Sequence, residues 1–180
     1  MQLKEKTLSQ KEIFSGRILR VHVDEVRLPN GETSSREVVE HPGGVCIAAL
    51  DGEELLFVKQ FRYPYGKVIL ELPAGKLDKG EEPLHCGIRE LKEETGAVGR
   101  DYLFLGENYP SPGYCAESIY LYATRVDHFE EQHLDENEFL DVLRIPLDKA
   151  VRMCLANEIP DAKTQLAVLK TAALVREGRL

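Results

Sequence analysis

The sequence predicts an α+β protein: an α/β/α sandwich with a mixed central sheet flanked by helices and an N-terminal antiparallel strand extension. Three observations predict it. From Lys4 to about Gln60 the chain is a series of short β-prone segments broken by turn residues. One helical segment, Pro83 to Thr95, stands between strand-like stretches, and two more follow the last strand. At 180 residues there is enough chain for one main domain with a sizeable core and too little for two ordinary ones. Residues 1–42 are therefore expected to form the β extension and residues 43–180 the main domain.

Taken in order, Ile18 to Leu28 and Arg36 to His41 read as the first two well-marked strands, joined through Asn30-Gly31, a hairpin signal that suits a type I′ turn. Val45 to Leu50 and Leu55 to Gln60 follow, joined through Asp51-Gly52, with Gly43-Gly44 as a flexible approach to the buried strand. Val68 to Leu72 is a short strand ended by Pro73-Ala74-Gly75. Pro83 fits the first turn of the next helix, where its missing N–H costs nothing, and Gly96 supplies the C-terminal stop. On that helix Leu84, Ile88 and Leu91 form an apolar stripe expected to pack on a sheet. Tyr102 to Tyr109, Ile119 to Arg125 and Leu140 to Ile145 are strand-like, Leu147 to Asn157 helical. Asp161 caps a last helix running to about Arg176, with Leu166, Leu169 and Ala173 on one side.

Composition excludes several classes. Lys plus Arg number 23 and Asp plus Glu 31, so the net charge of −8 opposes tight binding to nucleic acid or to an anionic membrane. Residues 1–20 carry charges throughout and no apolar core of a signal peptide, and no run of eighteen apolar residues occurs, so a cytoplasmic protein is expected. Cys46, Cys86, Cys115 and Cys154 never form C-x-x-C and read as small, mostly buried thiols. The five histidines lack the spacings of zinc sites.

The chemistry concentrates at Gly75 to Gly96, which reads G-x5-E-x7-R-E-(aliphatic)-x-E-E-x-G. Glu90 and Glu94, four apart, stack on one flank of the helix, with Glu93 a little further round. Like charges at that spacing repel, so a cation is expected among them. Arg89 is one candidate, and hard oxygen ligands point to Mg²⁺, with Mn²⁺ able to substitute. On their own the glutamates could equally form a solvated polar face. Gly75 and Gly80 have the glycine spacing of a P-loop, but Glu81 stands where Lys would be required, which argues against a Walker-type site.

With Gly75, Glu81, Arg89, Glu90, Glu93, Glu94 and Gly96 at these offsets, the segment resembles the signature of the Nudix hydrolases, which cleave a nucleoside diphosphate linked to another group. The resemblance implies metal ligands at Glu90, Glu93, Glu94 and the Ala74 carbonyl, and a bracing role for Glu81 and Arg89. Ala97 departs from the usual larger aliphatic residue. A pyrophosphate resists attack because its oxygens are already negative, so a further carboxylate is needed to orient or deprotonate water. Glu138, with Glu136 second, is the best source, although Asp135-Glu136-Asn137-Glu138 could be only a solvated acidic loop. The catalytic set is thus Glu138, Glu136, Glu93 and Arg89.

The likeness extends further. Ser111-Pro112-Gly113, with Pro112 sixteen residues after Gly96, looks like the marker of the ADP-ribose pyrophosphatase subfamily. Arg36-Glu37, Gln60-Phe61-Arg62, Leu70-Glu71-Leu72-Pro73-Ala74-Gly75, Glu136-Asn137-Glu138-Phe139 and Asp161-Ala162-Lys163-Thr164 are similar too. This implies Mg²⁺-dependent cleavage of ADP-ribose to AMP and ribose 5-phosphate, with substrate contacts at Phe14, Arg36, Arg62, Glu71, Pro112 and Gly113. It also implies a homodimer in which N-terminal strands cross to the second subunit. Phe14 fits a core position equally well. Another nucleoside diphosphate sugar, such as GDP-mannose or ADP-glucose, or a binding regulator without catalysis, remains open at this point.

Overall fold

The computed structural model describes residues 3–180, which fall into two compact units. The first comprises the chain up to Gly43 together with Tyr109–Ser118. Its strands β1 (Lys6–Ser15), β2 (Arg20–Arg27) and β3 (Thr33–Glu40) form an antiparallel sheet in the order β1-β2-β3. Across the β2–β3 turn only Gly31 takes a positive φ, +90°, and Asn30 does not. The turn is therefore not of type I′; the Gly31 amide donates to the Leu28 carbonyl at 2.9 Å and Leu28 and Glu32 close a three-residue loop. β1 was not separable from sequence as a strand of its own, because it is exposed along its whole length and carries no burial pattern to read. The Tyr109–Ser118 segment joins this unit through Val39, whose amide donates to the Tyr114 carbonyl at 2.8 Å and whose carbonyl accepts from Ala116 at 2.9 Å.

The second unit holds the remaining elements: β4 (Gly44–Asp51), β5 (Glu54–Arg62), a 3-10 turn at Tyr63–Tyr65, β6 (Lys67–Glu71), β7 (Ala74–Lys76), α1 (Pro83–Thr95), β8 (Ala97–Asn108), β9 (Ile119–Phe129), β10 (Leu140–Pro146), α2 (Leu147–Leu155) and α3 (Ala162–Arg176). Its sheet runs β10-β5-β4-β9-β8, with β4 and β9 parallel and the other pairs antiparallel. β4 and β5 pair only at Leu50↔Leu55 and Asp51↔Glu54. Beyond that hairpin they part, and β6 pairs with β5 while β7 pairs with β4. The Ile47 amide donates to the Pro73 carbonyl at 2.9 Å, so the β6–β7 segment is wedged into the opening.

β4 is buried on both faces, as a near-continuous apolar run predicts. Cys46, Ala48 and Leu50 pack in the layer with Phe57, Leu121, Ala150, Ala167 and Val168, under α2 and α3. Val45, Ile47 and Ala49 face the opposite way, into the layer with Leu56, Cys86, Leu91 and Ala97, under α1. The expected sandwich of helices about a mixed sheet is thus present in this unit.

Two helix faces differ from expectation. On α1 the buried residues are Cys86, Gly87, Leu91, Glu94 and Thr95, and Ile88 is 37 % exposed. The helix turns a small residue, Gly87, toward the sheet: a Cβ there would lie 2.5 Å from Ile47 Cδ1. On α3 the buried residues are Thr164, Ala167, Val168, Thr171 and Ala172, while Leu169 and Ala173 are exposed. Small and β-branched side chains let that helix approach the sheet closely, and the larger leucine is left outside. β8 begins at Ala97, ahead of the expected Tyr102, because a register shift between Arg100 and Leu103, with Asp101 at φ +53°, breaks its alternation.

Candidate active site

The start and stop of α1 follow the residue types at its ends. Pro83 occupies the first turn, and Gly96, in the left-handed conformation at φ +71°, donates its amide to the Lys92 carbonyl. The loop before the helix is fixed by one ion-pair cluster. Arg89 donates to both oxygens of Glu81, from Nε at 3.0 Å and Nη2 at 3.1 Å, while Glu81 also accepts from the Asp78 amide at 3.0 Å. These bonds, Arg89 first, hold the Glu81 carboxyl down to about 2. Nη1 of the same guanidinium reaches Glu90 at 2.9 Å and Glu93 at 2.8 Å. One arginine therefore touches three carboxylates, Glu81, Glu90 and Glu93, with a single positive charge.

Glu94 lies apart from that cluster. It is 0 % exposed, one carboxylate oxygen accepts from the Ala74 amide at 3.0 Å, and the other, Oε1, is buried without a hydrogen-bond partner. Burial, and next the charge of Glu138, push this carboxyl well above the usual range. Burial also raises Glu90, against the pull of Arg89. Glu90 lies hard against the loop backbone: a Cβ on Gly75 would stand 1.9 Å from its carboxyl carbon, so only glycine at that position leaves the carboxylate where it is.

Among the described residues no three carboxylate, imidazole or thiol side chains close on one point as a finished metal shell. Here Arg89 holds Glu90 and Glu93 to itself. The donor chemistry nevertheless fits a hard divalent cation. An orphaned, fully buried glutamate oxygen beside a second desolvated glutamate is a costly arrangement that a cation or a proton relieves, and every side-chain donor present is oxygen.

Glu138 comes to this site from the segment after β9. It is half-buried, and burial, then the charge of Asp135, raise its carboxyl. Its charge acts on Glu94 and on Glu90. Glu136 stays exposed. The segment is tied to the end of α1 by the Glu130 amide on the Gly96 carbonyl at 2.7 Å, the His133 amide on the Glu93 carbonyl at 3.1 Å, and the Gln132 side chain on the Glu94 carbonyl. Lys92 pairs with Glu130 at 2.6 Å. Nothing in the sequence marked Gln132, because a bond from a side chain to a distant carbonyl leaves no periodic or compositional trace.

On the other side stands a second charge network. Arg62 donates to both oxygens of Glu71, from Nε at 2.6 Å and Nη2 at 2.8 Å. Glu71 is 2 % exposed and also accepts from Lys163, which pairs with Asp161 at 3.0 Å. Burial alone would raise Glu71, but the Arg62 bonds and the Lys163 ammonium outweigh it and hold the carboxyl below its usual range. The Arg62 charge is felt at both Glu94 and Glu138.

The second unit thus brings together Ala74, Arg89, Glu90, Glu93, Glu94, Glu138, Arg62 and Glu71. Phe14, Arg36, Pro112 and Gly113 belong to the first unit. There Phe14 is 56 % exposed, and Arg36 donates to Glu5 from Nε at 3.0 Å and to the Ser35 carbonyl at 2.8 Å. Pro112 and Gly113 are exposed in a turn whose Ser111 carbonyl accepts from the Cys115 amide at 3.0 Å.

Residues 40–167 match the NUDIX domain, and residues 5–39 match the nucleoside diphosphate sugar hydrolase N-terminal domain. The chain is 42 % identical over 169 residues to a Bacillus subtilis protein named ADP-ribose pyrophosphatase, covering 92 % of this chain and 91 % of that protein. It is 44 % identical over 168 residues to the methanol dehydrogenase activator of Bacillus methanolicus, with the same coverage. A solved structure described as an ADP compounds hydrolase superposes with a TM-score of 0.87 at 22 % identity, over 100 % of both chains, and so shares the fold.

Proposed function

Because the chain belongs to the Nudix hydrolase family, we propose that it hydrolyses the pyrophosphate of ADP-ribose to AMP and ribose 5-phosphate with Mg²⁺, or Mn²⁺ in its place. The observation that carries the reading is Glu94: a fully buried carboxylate with one oxygen unsatisfied, beside the Ala74 amide and within the fields of Glu90 and Glu138. Glu90, Glu93, Glu94 and the Ala74 carbonyl would hold the ion, which would neutralise phosphate charge and make a bound water more acidic.

The remaining roles belong to the chain's own groups. Arg89 keeps its two bonds to Glu81 while yielding Glu90 and Glu93, so the loop stays braced. Glu138 orients the attacking water and takes its proton as the new P–O bond forms and the bridging P–O bond breaks, the leaving phosphate keeping the electron pair. Its raised affinity for protons suits a base. Glu136 is the second candidate. Arg62 holds a phosphate oxygen, and Glu71 acts on the substrate through Arg62. In a homodimer Phe14 would stack on adenine and Arg36 would reach the phosphates or ribose of substrate held by the partner subunit, with Pro112 and Gly113 as further substrate contacts.

Residues 1–42 would form the dimerising extension, since Leu8 and Ile13 of β1 are exposed apolar side chains that a second copy would cover in a homodimer. No described helix is long and apolar enough to cross a membrane, and all four cysteines are free thiols, which supports a reducing cytoplasm. The likeness to the B. methanolicus activator favours a second reading, in which the same site acts to stimulate a dehydrogenase. One experiment tests the main reading: ADP-ribose, GDP-mannose and ADP-glucose are offered with Mg²⁺ and the products identified. Fastest release of AMP from ADP-ribose is expected. Preference for another sugar would move the substrate assignment, and binding without turnover would make the chain a regulator.

A further inference from the structure

We infer that Lys163 is a positioning residue for Arg62, acting through Glu71, so that Arg62 can present its remaining Nη1 to an anionic substrate oxygen. The inference rests on the reading that Arg62 contacts the substrate. Glu71 ends β6 almost completely buried, and a carboxylate there needs cationic partners. Arg62 supplies one in a two-pronged fork through Nε and Nη2, which fixes the plane of the guanidinium and leaves Nη1 outside the fork. Lys163 supplies the other on Oε2.

Charge counting gives Lys163 its purpose. Glu71 and Asp161 are balanced by Arg62 and Lys163, and Lys163 bonds both acids. When a phosphate draws on the charge of Arg62, Glu71 keeps a partner, so Arg62 serves the substrate without leaving a buried anion uncompensated. Removing Lys163 would make Glu71 compete with the substrate for one guanidinium.

The ammonium is itself held in register. Asp161 accepts from the Thr164 amide at 3.0 Å at the start of α3, and Thr164 Oγ1 accepts from the Leu72 amide at 2.9 Å. The first turn of α3 is thereby fastened to the residue that follows Glu71. By side chain Arg62 is 38 % exposed, Glu71 2 % and Lys163 12 %. Only Arg62 has substantial open surface for a ligand, so the two groups behind it act through it.

A double-mutant cycle on the full-length protein tests this. Lys163→Met, Arg62→Ala and the double variant are assayed with ADP-ribose and Mg²⁺, with folding checked by thermal melting. Lys163→Met is expected to raise KM about tenfold with kcat changed by less than about twofold, the pattern of lost binding shared by ground and transition states. Lys163→Arg, which keeps charge and donors, should recover most of the loss. In the Arg62→Ala background Lys163→Met should add nothing. If its full effect on KM persists there, or if kcat falls while KM holds, Lys163 does not work through Arg62 and the inference is overturned. If Arg62→Ala alone leaves KM unchanged, the substrate role of Arg62 fails first, a distinct result. Should Lys163→Met melt too low for assay, Lys163→Gln, which keeps an N–H donor without charge, takes its place in the same cycle.

Discussion

The Ala74 amide donates to Glu94 at 3.0 Å, and the opposite oxygen of that carboxylate is buried with no protein partner. One bond to a short edge strand orients the side chain, and the unmet oxygen is the demand that a cation would fill. Replacing Glu94 by Gln keeps the acceptor for Ala74 and removes the buried charge. Turnover should fall by several orders of magnitude, while the metal-free melting temperature should rise by about 2–4 °C, as roughly 1 kcal/mol does for a chain of this size. Calorimetry in a chelator and product assays check the two together.

The pH dependence of stability has a definite sign. The folded-state pKa of Glu94 lies well above the ordinary 4.5, so the folded protein binds the extra proton and metal-free stability should decline as pH rises above 4.5 toward that raised value. Glu94→Gln should flatten this decline, and added Mg²⁺ should reverse it. Glu81 runs the opposite way: with its pKa at about 2, the stability it contributes is complete above 4.5 and lost as pH falls toward 2. Denaturant melts across pH 3 to 8, with and without Mg²⁺, read both slopes.

Gly75→Ala should cost activity more than stability. The new Cβ would meet the Glu90 carboxyl carbon at 1.9 Å and swing a flexible side chain aside without disturbing the core layers. The Mg²⁺ concentration for half-maximal activity should rise about tenfold or more, the range seen when ligand orientation is disturbed, with a small change in melting temperature. An unchanged metal requirement would remove Glu90 from the ion's ligands.

Gln132→Ala should release the segment that carries Glu138. The expected result is a fall in kcat of about tenfold with KM nearly constant, and faster amide hydrogen exchange across residues 130–139. Equal exchange in both proteins would show that the Glu130 and His133 amides hold the segment unaided.

Much of this arrangement was legible in the chain. The turn residues at Gly31 and Gly52, the apolar run of β4, Pro83 and Gly96 at the ends of α1, and the Asp161 cap each follow from local backbone chemistry, and each appears where expected. The spacing of Glu81, Arg89 and the three later glutamates pointed to the candidate site. What stayed hidden depends on partners distant in sequence. Ile88 looked buried by periodicity, but α1 faces the sheet with Gly87 and Leu91 because only a residue without a side chain fits against Ile47. Glu94 reads as a surface glutamate until the wedge of β6 and β7 covers it. Lys163 stood in a recognisable segment without a role, since nothing local shows that Glu71 lies beneath it.

The most direct measurement is the release of AMP and ribose 5-phosphate from ADP-ribose by the wild-type protein and by Glu94→Gln, each with Mg²⁺ and with chelator. Stoichiometric products from the wild type with Mg²⁺ alone, and turnover at least about a thousandfold slower in the variant, are the predicted outcome. Near-full activity in the variant, or a wild type that binds ADP-ribose and releases neither product, would contradict it.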